Sequence, residues 1–183
     1  INSPLLPTFS GSPLSGLARR LVLDQIVDET RMREAMVTSR RENVTLVNFL
    51  ISKGLAKASA VARAAAEEFG DPLLDLAAFS PESVPRKIVA SKLITKHRAL
   101  PIFKRGNRLF VAMSDPTNLQ GVEEIRFNTG MNVETVVVED DKLGKLIDAI
   151  ENEADGKAFE GLDGDLDNLD VAAVDTHDDE ETG

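Results

Sequence analysis

The sequence predicts an α+β protein: a four-helix unit of two repeated helical hairpins, a small α/β subdomain in the order β-β-α-β-α, and an acidic disordered tail. Three observations support this class: a repeat of apolar positions at a shift of 29 residues, alternating and β-branched runs after it, and an acidic C-terminal end. The predicted boundaries are 1–13 for an irregular lead-in, 14–72 for the helical repeat, 73–152 for the α/β subdomain and 153–183 for the tail.

The helical repeat predicts two helix–turn–helix hairpins that pack on each other. Asp28 is a predicted N-cap in the first copy, Gly54 ends a helix in the second, and Gly70 ends the last helix, residues 58–69. The apolar pairs are Leu17 with Leu46, Leu21 with Leu50, Val22 with Ile51, Ile26 with Leu55, Val27 with Ala56, Met32 with Val61, and Met36 with Ala65.

The α/β subdomain begins with a short helix, which we predict over residues 85–93. Alternating strands over 99–104 and 108–113 flank the turn Arg105-Gly106-Asn107, which is typical of a β-hairpin. The turn over residues 114–118 carries helix-capping residues and predicts the start of a crossover helix.

The crossover helix, a third strand and a last helix complete the predicted order. A β-branched run over residues 133–138 predicts the strand, and Asp140 begins the last helix. The apolar residues of the crossover helix are Leu119, Val122, Ile125 and Phe127, and those of the last helix are Leu143, Leu146, Ile147 and Ile150. A strand, helix and strand within about 30 residues predict a right-handed crossover in a small mixed sheet.

Charge separates the tail from the rest of the chain. The formal net charge of the 183 residues is −10, but residues 151–183 contain thirteen acidic side chains and one lysine, a net of −12. Residues 1–150, with twenty basic and eighteen acidic side chains, are close to neutral. The tail is therefore predicted to be a solvated linker, and the overall charge disfavours nucleic acid and anionic membranes as partners.

The sequence contains no recognisable catalytic motif. The absence of cysteine removes disulfides, thiol nucleophiles and cysteine-based zinc sites, and phosphate loops and hydrolase motifs are also absent. His97 is predicted to lie at the surface or at a helix end, without a carboxylate partner nearby in sequence, and the 114–118 turn is predicted to cap a helix. We therefore expect no enzymatic activity, no cofactor and no metal from this chain.

Several stretches together resemble a known family. They are AAAEEFGDPL at 64–73, KHRALP at 96–101, FKRGNRL at 103–109 and AMSDPTN at 112–118. With the repeat, they resemble the N-terminal region of the type IV pilus assembly and type II secretion ATPases, most closely the pilus-extension motors, over residues 14–152. The resemblance implies a non-catalytic regulatory and docking region, with ATP binding and hexamer formation belonging to a motor module outside these residues.

The resemblance also implies partners and a location. A PilZ-domain adaptor protein that controls pilus assembly and twitching motility is the leading partner, and the inner-membrane pilus platform protein is a further one. The location implied is the cytoplasm, at the inner-membrane pilus machinery, without membrane insertion. The predicted contact residues are the apolar side chains of the first repeat with arginines at their rim: Leu17, Arg19, Arg20, Leu21, Val22, Arg31, Met32, Arg33 and Met36. Burial of the apolar members in the core is the alternative.

In relatives the repeat is a cyclic di-GMP-binding motif, which leaves direct sensing of this dinucleotide as the alternative function. The motif's leading Arg corresponds to Gly16 and Thr45, and its first Gly to Ala18 and Val47. Its second Gly corresponds to Gln25 and Gly54, and its closing Gln to Ser39 and Glu68. Loss of the Arg removes charge-assisted contacts to phosphate, and added Cβ atoms block close backbone approach, so these changes disfavour direct binding.

Overall fold

The computed structural model describes residues 11–166, and the side chains of residues 11–156. Four helices come first, and the predicted four-helix unit is confirmed. They are α1 (Gly16–Leu23), α2 (Glu29–Glu42), α3 (Leu46–Ser52) and α4 (Ala58–Phe69). The predicted Asp28 cap is also confirmed, because its carboxylate accepts hydrogen bonds from the backbone amides of Thr30 and Arg31.

The two hairpins have the same backbone hydrogen bonds, which confirms the repeat. α1 and α3 are each followed, two residues after their last residue, by a residue in the left-handed conformation: Gln25 (φ 57°) in the first copy and Gly54 (φ 69°) in the second. The amide of Ile26 donates to the carbonyl five residues earlier at 2.9 Å, and the amide of Leu55 makes the same bond at 2.8 Å. Only the first copy carries a side chain in this strained conformation, since glycine adopts it freely.

The core of the helical part contains large apolar residues from each of its four helices. Leu17 and Leu21 of α1, Met32 of α2, Leu50 of α3 and Val61 of α4 are all at most 1% exposed. Leu17 and Leu21 lie four residues apart, so they occupy the same face of α1. These side chains pack in one cluster that also includes Val137 of the sheet.

Within the described residues, three strands form one sheet in the order β1 (Ala99–Arg105), β2 (Arg108–Met113), β3 (Asn132–Val137). β1 and β2 pair antiparallel, and β2 and β3 pair parallel through the crossover helix α6 (Leu119–Thr129). The predicted order β-β-α-β-α is therefore confirmed. The α5 and α6 side of the sheet buries the alternate residues Leu109, Val111 and Met113 of β2.

The predicted helix over residues 85–93 is wrong. A 3-10 turn (Pro81–Ser83) and an irregular segment directly precede α5, which spans Ser91–His97. Pro85 disfavours a helical conformation at Val84, and Lys87 has a positive φ of 59°, which interrupts any right-handed helix. A second 3-10 turn lies at Leu76–Ala78.

Two apolar residues of α6 lie on its solvent-facing side. Leu119 is 70% exposed and Phe127 is 94% exposed, whereas Ile125 is fully buried. The buried face of α6 follows residues 121 and 125, one turn apart, so positions 119 and 127 lie on the outward face. Sequence periodicity does not separate these faces, because both carry apolar side chains.

The last helix, α7 (Asp140–Leu166), is longer than predicted. It continues past residue 152 into the segment predicted to be an unstructured acidic tail; the rest of that tail, residues 167–183, lies outside the described residues. A helix that has already begun extends by one hydrogen bond per residue, so it costs less to continue a helix than to start one. The chain divides within α7 into two compact units, one up to Ile147 and one from Asp148.

Candidate functional site

A groove with a volume of about 760 Å³ is the candidate site. Its main lining stretches are residues 15–18 at the start of α1, 43–46 between α2 and α3, and 115–120 between β2 and α6. We call it the repeat groove, because helices of both repeat copies line it. Its volume falls in the range of about 300–1,000 Å³ that is typical of ligand pockets.

The rim of the repeat groove is apolar. Val44 and Phe69 are each 39% exposed, and Leu119 is 70% exposed, although all three line the groove. Half-buried Met36 and Leu46 lie beside them. Exposed apolar groups around one concavity are typical of a surface that binds another molecule.

One wall of the groove is organised by the buried carboxylate of Asp115. Its Oδ2 accepts a hydrogen bond from the backbone amide of Val47 at 3.4 Å, and its Oδ1 accepts from the amide of Thr117 at 3.0 Å. Val47 lies in the first turn of α3, where a negative charge is favourable. Asp115 therefore ties the β2–α6 loop to the helical repeat.

A buried histidine lies behind the same loop. His97 is 5% exposed; its Nδ1 lies 3.1 Å from Asn118 Nδ2, and its Nε2 lies 2.9 Å from Glu124 Oε2. Because Asn118 Oδ1 accepts from the amide of Gly121, the Asn118 NH₂ group donates to Nδ1, and Nε2–H donates to Glu124. The hydrogen bond from His97, followed by one from Gln120, lowers the pKa of Glu124 to about 2.

The predicted position of His97 at a helix end is confirmed, since α5 ends at this residue. The predicted surface position is wrong, because the side chain is buried and its carboxylate partner lies 27 residues later in the chain. α5 and α6 pack against the same face of the sheet, which brings His97 and Glu124 together. The predicted capped helix start is confirmed, since Asn118 caps α6. Both ring nitrogens of His97 hold neighbouring side chains, so the residue positions α6.

A second buried carboxylate, Asp140, connects three elements. Its oxygens accept hydrogen bonds from Arg98 Nε at 2.9 Å, Ser114 Oγ at 2.6 Å and Asn48 Nδ2 at 3.0 Å. Asp140 begins α7, whereas Asn48 belongs to α3. Together with Asp115, it fixes the helical repeat against the loop that lines the groove.

The predicted docking residues lie mostly elsewhere. Leu17, Leu21 and Met32 are at most 1% exposed, because they form the core of the four-helix unit. Their burial leaves almost no side-chain surface for a partner, so it disfavours their contact role, which stays a prediction. Val22 and Met36 are half-buried against the same core. Of these five residues, Leu17 and Met36 line the repeat groove.

The four predicted arginines do not line the groove. Arg20 forms ion pairs with Asp24 at 2.7 Å and Glu67 at 2.5 Å. Arg33 pairs with Glu29 at 2.9 Å. Arg19 and Arg31 are exposed on α1 and α2, where their binding role stays a prediction.

Sequence reasoning missed the rim residues Val44, Phe69 and Leu119. Val44 carried one usable signal, since an apolar residue directly before the N-cap Thr45 is common at helix starts. Phe69 and Leu119 carried none, because apolar residues at helix ends are read as core residues. Four repeat positions line the groove without having been chosen as contacts: Gly16, Ala18, Ser39 and Thr45.

Residues 69–157 match the model of the MshEN domain. The chain is 42% identical over 164 residues to the type IV pilus assembly ATPase PilB of Pseudomonas aeruginosa, covering 88% of this chain and 29% of that protein. Its identity to PilB of Acinetobacter baylyi is 37% over 144 residues, covering 78% of this chain and 25% of that protein. The chain thus spans less than a third of these relatives.

Solved structures show the same fold. A structure of MshE with cdg is 25% identical, with a TM-score of 0.55, and the match covers 75% of this chain and 99% of that chain. The N-terminal domain of XpsE is 19% identical with a TM-score of 0.59, covering 75% of this chain and 97% of that chain, and it supports the fold alone. In the part of the chain that the structure describes, no helix is both long and apolar enough to cross a membrane.

Residues 69–157 thus match the MshEN domain, and the chain is similar to the N-terminal region of the type IV pilus assembly ATPases.

Proposed function

We propose that this chain is a regulatory and docking region of a type IV pilus assembly ATPase, and that a PilZ-domain adaptor protein binds it to control pilus assembly and twitching motility. The 42% identity to the N-terminal region of PilB carries the proposal. In this proposal, ATP hydrolysis and hexamer formation belong to the part of the relatives that the chain does not span. Contact with the inner-membrane pilus platform on the cytoplasmic side is part of the same proposal.

The repeat groove replaces the first-repeat core as the proposed adaptor site. Its exposed rim residues Val44, Phe69 and Leu119 supply the apolar contact area that Leu21 and Met32 lack. The groove also adjoins the polar contacts of Asp115, which connect α3 to the β2–α6 loop. An adaptor bound there would contact both parts of that connection, and this supports a regulatory role.

The adaptor proposal predicts that Val44→Asp combined with Leu119→Asp weakens binding of a purified PilZ-domain protein by about tenfold or more, because charges replace apolar contact area in the proposed interface. Titration calorimetry of the purified partners measures the affinity. The matched control is Leu23→Asp with Val37→Asp, since these residues are 63% and 67% exposed and do not line the groove.

The wild-type chain and the control pair are expected to bind alike. Equal weakening by both pairs would contradict the groove as the binding site but not the adaptor as the partner. Failure of the wild-type chain to bind the PilZ-domain protein would refute the adaptor proposal itself.

Direct binding of cyclic di-GMP is the second candidate function. It is favoured by the groove volume of about 760 Å³ and by the repeat positions Gly16, Ala18, Ser39 and Thr45 in its lining. The MshE structure with cdg adds a relative of the same fold that carries this ligand. The missing Arg and Gly of the motif weigh against it, because phosphate contacts and close backbone approach are lost.

We therefore expect calorimetric titration with cyclic di-GMP to give no heat of binding in the micromolar range. Two exposed cations line the groove, Arg40 and Lys96. Lys96 is paired with Glu124 at 3.3 Å, so Arg40 is the better candidate to replace a motif Arg and Arg40→Ala is the informative variant. Micromolar binding by the wild-type chain that is lost in Arg40→Ala would establish the dinucleotide as the ligand of the groove.

A further inference from the structure

The hydrogen bonds of His97 reach the first turn of α6, which forms part of the groove wall. Asn118 is the N-cap of α6: its Oδ1 accepts from the amide of Gly121 at 3.1 Å, and its Nδ2 lies 3.1 Å from His97 Nδ1. The next residue, Leu119, is 70% exposed on the groove rim. His97, Asn118 and Leu119 all line the repeat groove, so the cap connects a buried histidine to the rim.

The Asn118 amide can serve both of its neighbours only while the ring of His97 is neutral. A neutral ring accepts a hydrogen bond at Nδ1, whereas a protonated ring carries hydrogen on both nitrogens and accepts none. Two donors would then face each other across 3.1 Å. Rotating the Asn118 amide would offer its oxygen to His97 but would turn its NH₂ group toward the amide of Gly121, which also donates. A protonated His97 is therefore incompatible with this cap.

Close packing restricts how the mismatch can be relieved. A Cβ atom at position 121 would lie 2.9 Å from Asn118 Nδ2 and 2.9 Å from His97 Cγ, so both side chains lie directly against the backbone of Gly121. The ring of His97 is 5% exposed, whereas Leu119 and Gln120 at the start of α6 are exposed. Because buried groups at this density have few alternative positions, the exposed start of α6 is the part that moves.

Glu124 stays a partner of His97 in both protonation states. Nε2–H donates to Glu124 Oε2 at 2.9 Å whether or not Nδ1 carries a proton. This hydrogen bond, followed by one from Gln120, lowers the pKa of Glu124 to about 2, so the carboxylate stays ionised between about pH 5 and pH 8. Lys96 Nζ lies 3.3 Å from Glu124 Oε1. A protonated ring would thus keep its contact at Nε2 and lose the one at Nδ1.

The remaining charges near the histidine have partners of their own. α6 and β1 pack against α5. Glu123 on α6 pairs with Arg126 at 2.5 Å, and Arg98 after α5 pairs with Asp140 at 2.9 Å. The carboxylate of Asp115 accepts from two backbone amides, and the first four residues of β1 are uncharged. Histidine is the side-chain type in this contact that titrates between about pH 5 and pH 8.

We propose that His97 is a proton-sensitive positioning residue of the repeat groove. Its neutral form holds Asn118 in the capping position, and its protonation releases the start of α6 together with the rim residue Leu119. Adaptor binding weakens as the pH falls, since the wall that the adaptor contacts is no longer held in place. The effect on the adaptor rests on the proposed function, whereas release of the cap is a property of this chain alone.

Amide hydrogen exchange followed by NMR on the full chain tests release of the cap. We expect the protection factor of the Gly121 amide to fall by about fivefold or more between about pH 7.5 and pH 5.5, in step with the titration of His97. The control is the Asn48 amide, which donates to the hydroxyl of Thr45 at 3.1 Å and is expected to keep its protection factor. The chain contains two histidines, so His177→Gln assigns the imidazole signals.

Two substitutions distinguish a proton switch from a structural contact. His97→Gln keeps one acceptor and one donor group without titrating, so it is expected to make the protection of the Gly121 amide independent of pH. Asn118→Asp supplies a carboxylate that accepts from a protonated ring as well as from the Gly121 amide, so it is expected to keep the cap at the lower pH. Circular dichroism checks that each variant is folded.

Titration calorimetry with a purified PilZ-domain protein measures the effect on the groove. The wild-type chain is expected to bind about fivefold or more weakly at the lower pH, because the proton and the adaptor favour different states of the groove wall. His97→Gln is expected to bind equally at both pH values. Since the same adaptor is used throughout, any pH dependence of the adaptor itself affects both chains alike.

Four results would overturn the proposal. They are a His97 ring that stays neutral at the lower pH, an equal loss of protection at Gly121 and Asn48, the same loss in His97→Gln as in the wild-type chain, and a pH dependence of adaptor binding that His97→Gln does not change. Failure of the adaptor to bind at either pH would refute the proposed function instead, and the exchange experiment would still decide whether His97 controls the cap.

Discussion

Replacing Leu21 with alanine is expected to lower the free energy of unfolding by about 2–5 kcal/mol, the range measured for large-to-small changes in packed cores. Leu21 is 0% exposed and packs in the cluster that joins all four helices. The substitution removes apolar contacts and leaves a cavity that the short helix α1, with eight residues, cannot easily close. Urea unfolding followed by circular dichroism measures the change.

Leu23→Ala on the same helix is the matched control. Leu23 is 63% exposed, so this variant is expected to stay within about 0.5 kcal/mol of the wild-type chain. Equal destabilisation by the two variants would contradict the burial that separates them. A Leu21→Ala chain of unchanged stability would restore Leu21 as a candidate contact residue.

Asp140→Ala is expected to destabilise the fold by about 3–5 kcal/mol, because it leaves a partly buried guanidinium without its carboxylate. Arg98 is 26% exposed and donates through both Nε and Nη2, whereas Asp140 is 3% exposed. The variant also removes the acceptor of Ser114 and Asn48. The two-pronged contact of a planar guanidinium with a carboxylate is among the stronger polar contacts in proteins.

Asp141→Ala serves as the control for Asp140. Asp141 is exposed, and its carboxylate accepts one hydrogen bond from the backbone amide of Lys142. Its loss is expected to cost about 1 kcal/mol or less, as for a helix-capping residue. Thermal unfolding of both variants at the same pH compares their losses of stability. A larger loss in Asp141→Ala than in Asp140→Ala would show that the buried contacts of Asp140 contribute little.

The Asp140 prediction bears on the proposed function, since it concerns how the groove keeps its shape. Asp140 and Asp115 hold α3 against the β2–α6 loop, and the groove lies at that contact. If the Asp140→Ala chain is folded at low temperature, we expect weaker adaptor binding even though Asp140 does not line the groove.

The periodic features of this chain were predictable from its sequence. The 29-residue repeat, the Asp28 cap and the β-hairpin rest on local rules of spacing and capping, and each is confirmed. The one misplaced helix, predicted over 85–93, lies where prolines and a left-handed Lys87 compete with a weak pattern. Local rules work where neighbouring residues alone decide the conformation.

The candidate site was not predictable in this way, because its residues are distant in sequence. His97 and Glu124 meet only through the packing of α5 and α6, and Val47 meets Asp115 across 68 positions. Nor does periodicity reveal which apolar face is buried: Leu21 lies in the core while Leu119 lies on the groove rim. Without the fold, both were simply apolar residues of a helix.

The sequence alone predicted the repeated helical hairpins, the strand order and the family resemblance. These features depend on spacing, capping residues and motifs, which can be recognised in the sequence itself. Only the tertiary structure decided which side chains a partner can reach. Burial depends on how separate elements pack, and that packing placed Leu17, Leu21 and Met32 in the core while leaving Val44, Phe69 and Leu119 exposed around the groove.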